Sequence, residues 1–447
     1  MLHKVDKDTV KVFKMSLPIF VELLLQLLVG NIDQIMISHY SQTSVAAIGN
    51  GNQIMNIAII VLSVISVATT ILIAQYLGAK YTDKANEVSS VSTLIMFIAS
   101  ISITLVCVLF GRQIFTLLKA PSDVLTEAST YLAIVGSFLI VQGLYLNLTG
   151  IMRSFGLLNE IMIVSLIMNA LNILGNASLI YGLFGLPSLG LIGVAISTNL
   201  SKLIGLIIIL IIFKKKVDVH ISIRYLHPFP KETLKKLLNI GVPSALEQLS
   251  YNLSQTCIMA VINVFGTSVI NTKVYSSMLA NVSYVYAMAI GQATQILIGY
   301  FIGAKLYDRI KKRAWTAIYI SLAVSLSVTA ILYLNSDFVF GLFTSDPAVL
   351  ELGKKILFIE FFLEIGRSIN ITMTKSMVAA GDVYYPVIVG IICMWSIALG
   401  LSYVFAIVLN MGLVGVWLAM AIDEAVRGII FSIHWNRGKW IAKSRML

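Results

Sequence analysis

Three side chains in the first long apolar stretch point to the chemistry of this chain. Lys14–Ser38 reads KMSLPIFVELLLQLLVGNIDQIMIS and contains Glu22, Gln26 and Asp33. The stretch is long enough to cross a bilayer as a helix. Their spacing of i, i+4 and i+11 places them on one face, because 11 steps of about 100° return to within roughly 20° of the start. A charge at the bilayer centre costs at least ~2.5–3.5 kcal/mol on insertion scales, so such groups face a bundle interior or a water-filled cavity. The stripe predicts the lining of a cation pathway.

Other groups can join it. Asn169, Asn172 and Asn176 lie at i, i+3 and i+7 on one helical face, and Ser197, Thr198 and Asn199 follow on the next apolar span. Amide and hydroxyl oxygens with the Asp33 carboxylate suit Na⁺ as a hard cation. A proton on Asp33 is the equal alternative, since burial disfavours the charged carboxylate. The same polar residues also serve as interhelical hydrogen-bonding groups. Glu22 and Glu247 each follow a proline by four residues. They are read either as helix-start acids complementing the dipole or as acids flanking a substrate cleft. Glu360, Glu364 and Arg367 stack at i, i+4 and i+7, leaving one negative charge over to attract a cation or else closing a structural ion network. Asp423–Arg427 is an i, i+4 pair beside Glu424. Tyr251, Tyr284 and Tyr286 can cup an organic cation or simply pack between helices.

The elements that must position these groups are membrane helices. The chain has 447 residues, 58% hydrophobic and 12% charged, whereas a soluble domain carries about 25% charged residues. Twelve apolar spans are expected near 14–38, 47–76, 88–110, 128–150, 159–182, 189–213, 238–264, 274–301, 314–334, 353–378, 386–409 and 412–434. Most Lys and Arg fall in the N-terminus, the 214–237 segment, the 303–313 loop and the C-terminal tail. The opposite loops hold only Arg112, Lys119, Lys273, Lys354 and Lys355, and Lys202, Arg367 and Arg427 lie within spans. This bias predicts a multi-pass protein of the inner (plasma) membrane with both termini in the cytoplasm. The net charge of +11 then reflects cytoplasmic loops and contact with lipid headgroups, not a nucleic-acid partner. Cys107, Cys257 and Cys393 stand alone in apolar runs and read as apolar fillers. The basic N-terminus lacks a small-residue cleavage site and reads as a retained segment.

An internal repeat divides the chain. A shift of 225 residues superposes Pro18 on Pro243, Glu22 on Glu247, Asn56 on Asn281, ILIAQYLGAK on ILIGYFIGAK, Phe115 on Phe340 and Gly156 on Gly381. Six spans per half make the halves parallel repeats, a transporter architecture with substrate handled between them. The expected organisation is an N-lobe over 1–213, a polar cytoplasmic linker over 214–237 and a C-lobe over 238–447. There is no Walker A, HExxH or Gly-x-Ser-x-Gly motif, so pumping is expected to draw on an ion gradient. His3, His39, His220, His227 and His434 are scattered, which speaks against a membrane-embedded enzyme. Twelve spans suffice for a monomer.

These features resemble the multidrug and toxic compound extrusion (MATE) transporters over nearly the whole chain. The resemblance rests on Pro18…NIDQIMIS, ILIAQYLGAK, MRSFG, NILGNASLIYG and GLIGVAIST, echoed by GVPSALEQ, AAGD and GLVGVWLAMAIDEAVRG. It implies two lobes in an outward-facing V and cation-coupled efflux of drugs, often lipophilic cations. It also implies an N-lobe cation site at Asp33, Asn172, Asn176 and Thr198. Asn176 departs from the family, which often has Asp there, and this weakens a Na⁺ site. Some members use a glutamate midway along span seven; Tyr251 stands there, with Glu247 one turn earlier. The expected function is an H⁺- or Na⁺-coupled antiporter for cationic, amphipathic small molecules, with no other cofactor. The candidate cleft residues are Glu22, Gln26, Glu247, Tyr251, Glu360, Glu364 and Arg367. A lipid-linked sugar flippase is the rival within the superclass, and a channel the third alternative. The excess of acids over bases within the spans favours cationic cargo.

Overall fold

The computed structural model describes residues 7–38, 40–119, 121–185 and 187–444. The first six residues of the basic N-terminus (His3 among them), His39 and the last three residues of the basic tail lie outside the described residues.

All twelve expected spans are helical. They are α1 (Lys7–Ser38), α2 (Gln42–Gly78), α3 (Thr82–Leu117), α4 (Ser122–Ser137) with α5 (Leu139–Ser154), α6 (Leu158–Tyr181), α7 (Gly190–Lys216), α8 (Lys231–Asn263), α9 (Thr267–Gly303), α10 (Tyr307–Leu334), then the short α11 (Ser336–Gly341), α12 (Pro347–Ala379), the segment from α13 (Tyr384–Cys393) through α14 (Gly400–Tyr403), and α15 (Gly412–Asn436), with a short α16 (Trp440–Ser444) after it. The fourth span departs from a single rod: α4 and α5 meet at an angle of 45°. The eleventh carries two wide π-type turns, Met394–Leu399 and Val404–Val408. Among the described residues, eight helices are long and apolar enough to cross a membrane, and the bent pair makes nine. The other three, α8, α12 and α15, fall short because of their polar and charged residues. Those on α12 and α15 are largely buried within the bundle, out of reach of lipid. The fold is therefore an all-α polytopic membrane protein of twelve transmembrane helices in two pseudo-symmetric six-helix lobes.

The chain forms two compact units, Met1–Phe20 with Val242–Leu447, and Val21–Gly241. Their boundaries fall inside α1 and α8, within a few residues of Pro18 and Pro243, each set inside its helix. Proline removes one backbone hydrogen bond and bends a helix.

In the Val21–Gly241 unit, α2 packs on α3, α4 and α5, and α6 packs on α7. Its core includes Ile48, Leu62, Met96, Phe115, Leu132 and Val194. The 214–237 segment docks on the start of α3: Asn86 Nδ2 donates to the Tyr225 hydroxyl at 3.0 Å, and Asn86 Oδ1 accepts from the His220 backbone N–H at 2.9 Å. In the other unit, α12 packs on α9, α10 and α15. One core cluster gathers Ile258, Leu363, Val416 and Trp417. Another is built on Phe340, the repeat mate of Phe115, and both phenylalanines are fully buried. Gly366 lets α12 touch the backbone of α15: a Cβ there would lie 2.5 Å from the Ala425 nitrogen. Small residues at such crossings are what allow membrane helices to pack closely without a hydrophobic drive between them. The three cysteines are free thiols, Cys107 and Cys393 buried and Cys257 half-buried.

Candidate functional site

The Val21–Gly241 unit assembles one polar site from three helices. α1 supplies Asp33, α6 the stripe Asn169, Asn172 and Asn176, and α7 Thr198. Asn176 Nδ2 donates to Asp33 Oδ1 at 2.6 Å, and Asn172 Nδ2 donates to Thr198 Oγ1 at 3.2 Å. Ser197 Oγ ties the helices further by donating to the Asn172 carbonyl at 2.9 Å. Gly175 permits this approach, since a Cβ there would lie 2.3 Å from Ser197 Oγ. Both amides use their N–H groups, so their oxygens are left over. Asn172 Oδ1 and Asn176 Oδ1 are buried with no hydrogen-bond partner among the described residues. Buried acceptors are normally satisfied, and an exception calls for an unseen donor or cation. The four residues named for the N-lobe are thus brought together, and the arrangement presents amide oxygens and a carboxylate to a positive charge. Asn199 is not part of it; its Nδ2 donates to the Ile134 carbonyl at 2.7 Å.

Glu22 is held apart from this site. It is buried, and Arg153 Nη2 from the end of α5 reaches both of its oxygens, at 2.7 and 2.8 Å. Gln26 is exposed. Glu247, the repeat mate of Glu22, is half-buried and lies within electrostatic range of Lys375 on α12. Each of the two glutamates therefore has a basic residue near it from the fourth span of its own half.

The other unit holds a cavity of about 140 Å³. Tyr251, Ser254 and Gln255 of α8, Lys273, Asn281 and Tyr284 of α9, Arg367 of α12, and Trp417, Asp423, Glu424 and Arg427 of α15 line it. The first π-type turn closes one wall with Met394 and Ala398; Ser254 Oγ donates to the Met394 carbonyl at 3.3 Å. Such turns often mark functional places in helices. Around the cavity runs a buried ion network. Arg367 Nη1 bonds Glu360 Oε1 at 2.7 Å and Glu364 Oε1 at 2.5 Å. Its guanidinium lies 4.9 Å from the centre of the Tyr284 ring. Trp417 Nε1 donates to Glu360 Oε2 at 2.7 Å. Arg427 bonds Asp423 and, at 2.9 Å, Glu424 Oε1, whose other oxygen accepts from Asn370 Nδ2 at 2.6 Å.

The i, i+4, i+7 stack on α12 exists as expected, but Arg367 grips both acids instead of one. Two arginines face four carboxylates, and Glu364 Oε2 and Asp423 Oδ1 have no partner among the described residues. The network carries an excess of two negative charges if all four acids are ionised. Sequence spacing reveals the pairs within α12 and within α15. It does not reveal that Trp417, Asn370 and Tyr284 join them across helices. Tyr286 lies elsewhere, its hydroxyl 3.3 Å from Ser16 Oγ. Among the described residues no group of three His, Cys, Asp or Glu is placed to hold a metal ion. His434 instead bonds Asp382 at 2.6 Å and stacks on Tyr385.

The MatE family model matches the chain twice, over residues 18–178 and 243–404, beginning at the paired prolines. The uncharacterized transporter YisQ of Bacillus subtilis is 38% identical over 442 residues, spanning 99% of this chain and 97% of YisQ. The probable multidrug resistance protein NorM of Thermotoga maritima is 25% identical, covering 96% of this chain and 92% of NorM. A solved transporter of the MOP superfamily from Pyrococcus furiosus superposes with a TM-score of 0.89 at 22% identity, over 98% of this chain and 96% of that one.

Proposed function

The chain belongs to the MatE family of membrane transporters, and on that premise we propose that it is a cation-coupled antiporter exporting amphipathic organic cations by alternating access. The observation that carries the coupling reading is the Asp33 site. A carboxylate stands beside two buried amide oxygens that lack donors, all on helices of one unit. Occupancy of that site by H⁺ or Na⁺ biases the conformational equilibrium through differential affinity for the two states. Efflux of drugs is supported by the likeness to NorM, a probable multidrug resistance protein. Cationic cargo is supported by the acids Asp423 and Glu424 in the cavity lining and by Tyr251 and Tyr284 on its wall.

In this reading the functional division is an N-lobe over 1–213, a linker over 214–237 and a C-lobe over 238–447. The protein lies in the inner membrane with both termini cytoplasmic and acts as a monomer surrounded by lipid, with no enzymatic step. The test is ethidium transport in inverted vesicles, wild type beside Asp33→Asn, under a pH gradient and a Na⁺ gradient imposed separately. One gradient should drive uptake, and the variant should lose it. Driven uptake that survives in Asp33→Asn refutes coupling at this residue.

A second reading, export or flipping of an amphipathic lipid-linked metabolite, is favoured by one feature. Lys273, Arg367 and Arg427 also line the cavity, and they suit an anionic head group. Uptake of an anionic amphipath in place of ethidium in the same vesicles selects it.

A further inference from the structure

Lys202 lies on α7 inside the membrane-spanning region, and nothing in the scheme above uses it. Thr198, Lys202 and Gly205 fall at i, i+4 and i+7, which is one face of α7. Both ends of that face are fixed against α6. Thr198 accepts from Asn172, and a Cβ on Gly205 would lie 2.1 Å from Met168 Sδ. Lys202 therefore sits opposite the stretch of α6 from Met168 to Asn172, beside the polar stripe that continues to Asn176. Its charge lies within electrostatic range of Asp33. No hydrogen bond or ion pair fixes its Nζ in the described structure, while Asn172 Oδ1 and Asn176 Oδ1 await donors.

An ammonium carries three donors and no acceptor on a flexible four-carbon stem. The acceptor set left over in this site, one carboxylate and two amide oxygens, is what such a group requires. It is also what Na⁺ would take. We propose that Lys202 is a tethered counter-cation of Asp33 that occupies the N-lobe acceptor set and excludes Na⁺ from it.

The physical ground is like-charge exclusion. With Asn at position 176 the site has a single carboxylate, and Lys202 balances it. A Na⁺ ion entering beside the ammonium would place two cations on one anion. A like charge a few ångströms away at the effective dielectric of a protein interior weakens binding by about 100-fold.

This inference rests on the reading of Asp33 as the coupling residue, yet its test is separate, because it reads Na⁺ binding and not transport. Radiolabelled Na⁺ is titrated onto the purified full-length protein: wild type, Lys202→Gln, Lys202→Thr, Lys202→Arg, and Lys202→Gln combined with Asp33→Asn. The neutral variants should bind Na⁺ saturably, about 100-fold more tightly than wild type. Lys202→Arg should bind as weakly as wild type, and adding Asp33→Asn should abolish the gain. Wild type binding Na⁺ as tightly as both neutral variants overturns the proposal, as does a gain that survives Asp33→Asn. Two neutral replacements are included so that misfolding of one leaves the other to decide. If Asp33→Asn leaves driven efflux intact while Lys202→Gln still gains Asp33-dependent Na⁺ binding, the coupling reading fails and the tethered cation stands.

Discussion

Arg153 closes on Glu22 through one nitrogen, Nη2, which reaches both carboxylate oxygens at 2.7 and 2.8 Å across 131 residues of sequence. The glutamate side chain is 6% exposed and the arginine 23%, so the pair is largely out of water. Removing one partner of a buried pair strands the other charge and costs about 3–5 kcal/mol, whereas removing both is far milder. Arg153→Gln is expected to lower the unfolding midpoint in detergent by that order. Adding Glu22→Gln should recover most of the loss. A single variant as stable as wild type would show that the pair has no structural role and would return Glu22 to the candidates for substrate contact.

At the Asp33 site, the Asn176 amide nitrogen stands 2.6 Å from the Asp33 carboxylate. Asn176→Asp replaces that donor with a second anion, and two adjacent carboxylates repel unless a cation bridges them. The variant is expected to unfold at a lower temperature than wild type without salt and to regain stability as Na⁺ is added. At a Na⁺ concentration 100 times the dissociation constant the gain approaches ~2.7 kcal/mol. The check is a thermal melt in NaCl against choline chloride. Equal midpoints in the two salts would mean that the pocket cannot take the ion even with two acids.

Helix positions were legible because lipid leaves few options: a span must be apolar and must satisfy its own backbone, so hydropathy reads it directly. The 225-residue repeat was legible for the same reason, since Phe115 and Phe340 fill equivalent buried places. The Asp33 site was legible as polar residues at helical spacing on three spans, the family resemblance narrowed it to Asp33, Asn172, Asn176 and Thr198, and the structure adds which atoms are spent and which are left. What spacing could not give are contacts fixed by helix crossings. The contact of Arg153 with Glu22 is one of these, since 131 residues separate the two and nothing local links them. Lys202 was counted only as an intramembrane base, since its partner lies on a helix far away in sequence. Trp417 and Asn370 looked like ordinary span residues, and their donors matter only because α12 and α15 touch at Gly366. The bend at Phe138 has no proline to announce it.

Asp423 is one of the two acids that line the cavity. One of its oxygens is held by Arg427 and the other, Oδ1, has no partner among the described residues. Asp423→Asn keeps the shape and removes one negative charge, while Glu424 and Asn370 continue to hold their places. Binding of a cationic dye such as ethidium should weaken by roughly 10-fold or more, the effect of one charge a few ångströms away at an intermediate dielectric. Binding of a neutral amphipath of similar size should change little. Fluorescence titration of the purified protein with both ligands distinguishes a charge effect from general damage, and equal losses for the two would reject the cationic-cargo reading of this cavity.

Trp417 tests whether the network is structural or poised. Its indole N–H donates to Glu360 Oε2 at 2.7 Å, while Glu360 Oε1 stays with Arg367. Both side chains are buried, Trp417 at 2% exposure and Glu360 at 1%. Trp417→Phe keeps an aromatic ring but withdraws the donor and leaves a carboxylate oxygen unsatisfied, at about 1–3 kcal/mol and more if the group stays charged. The unfolding midpoint should fall accordingly. Glu360→Gln in the same background should restore part of the loss, because a neutral amide is less costly to leave half-satisfied than an anion. A double variant that is worse than Trp417→Phe alone would indicate that the charge on Glu360 is needed to hold Arg367 in place, and that the four acids and two arginines act as one unit.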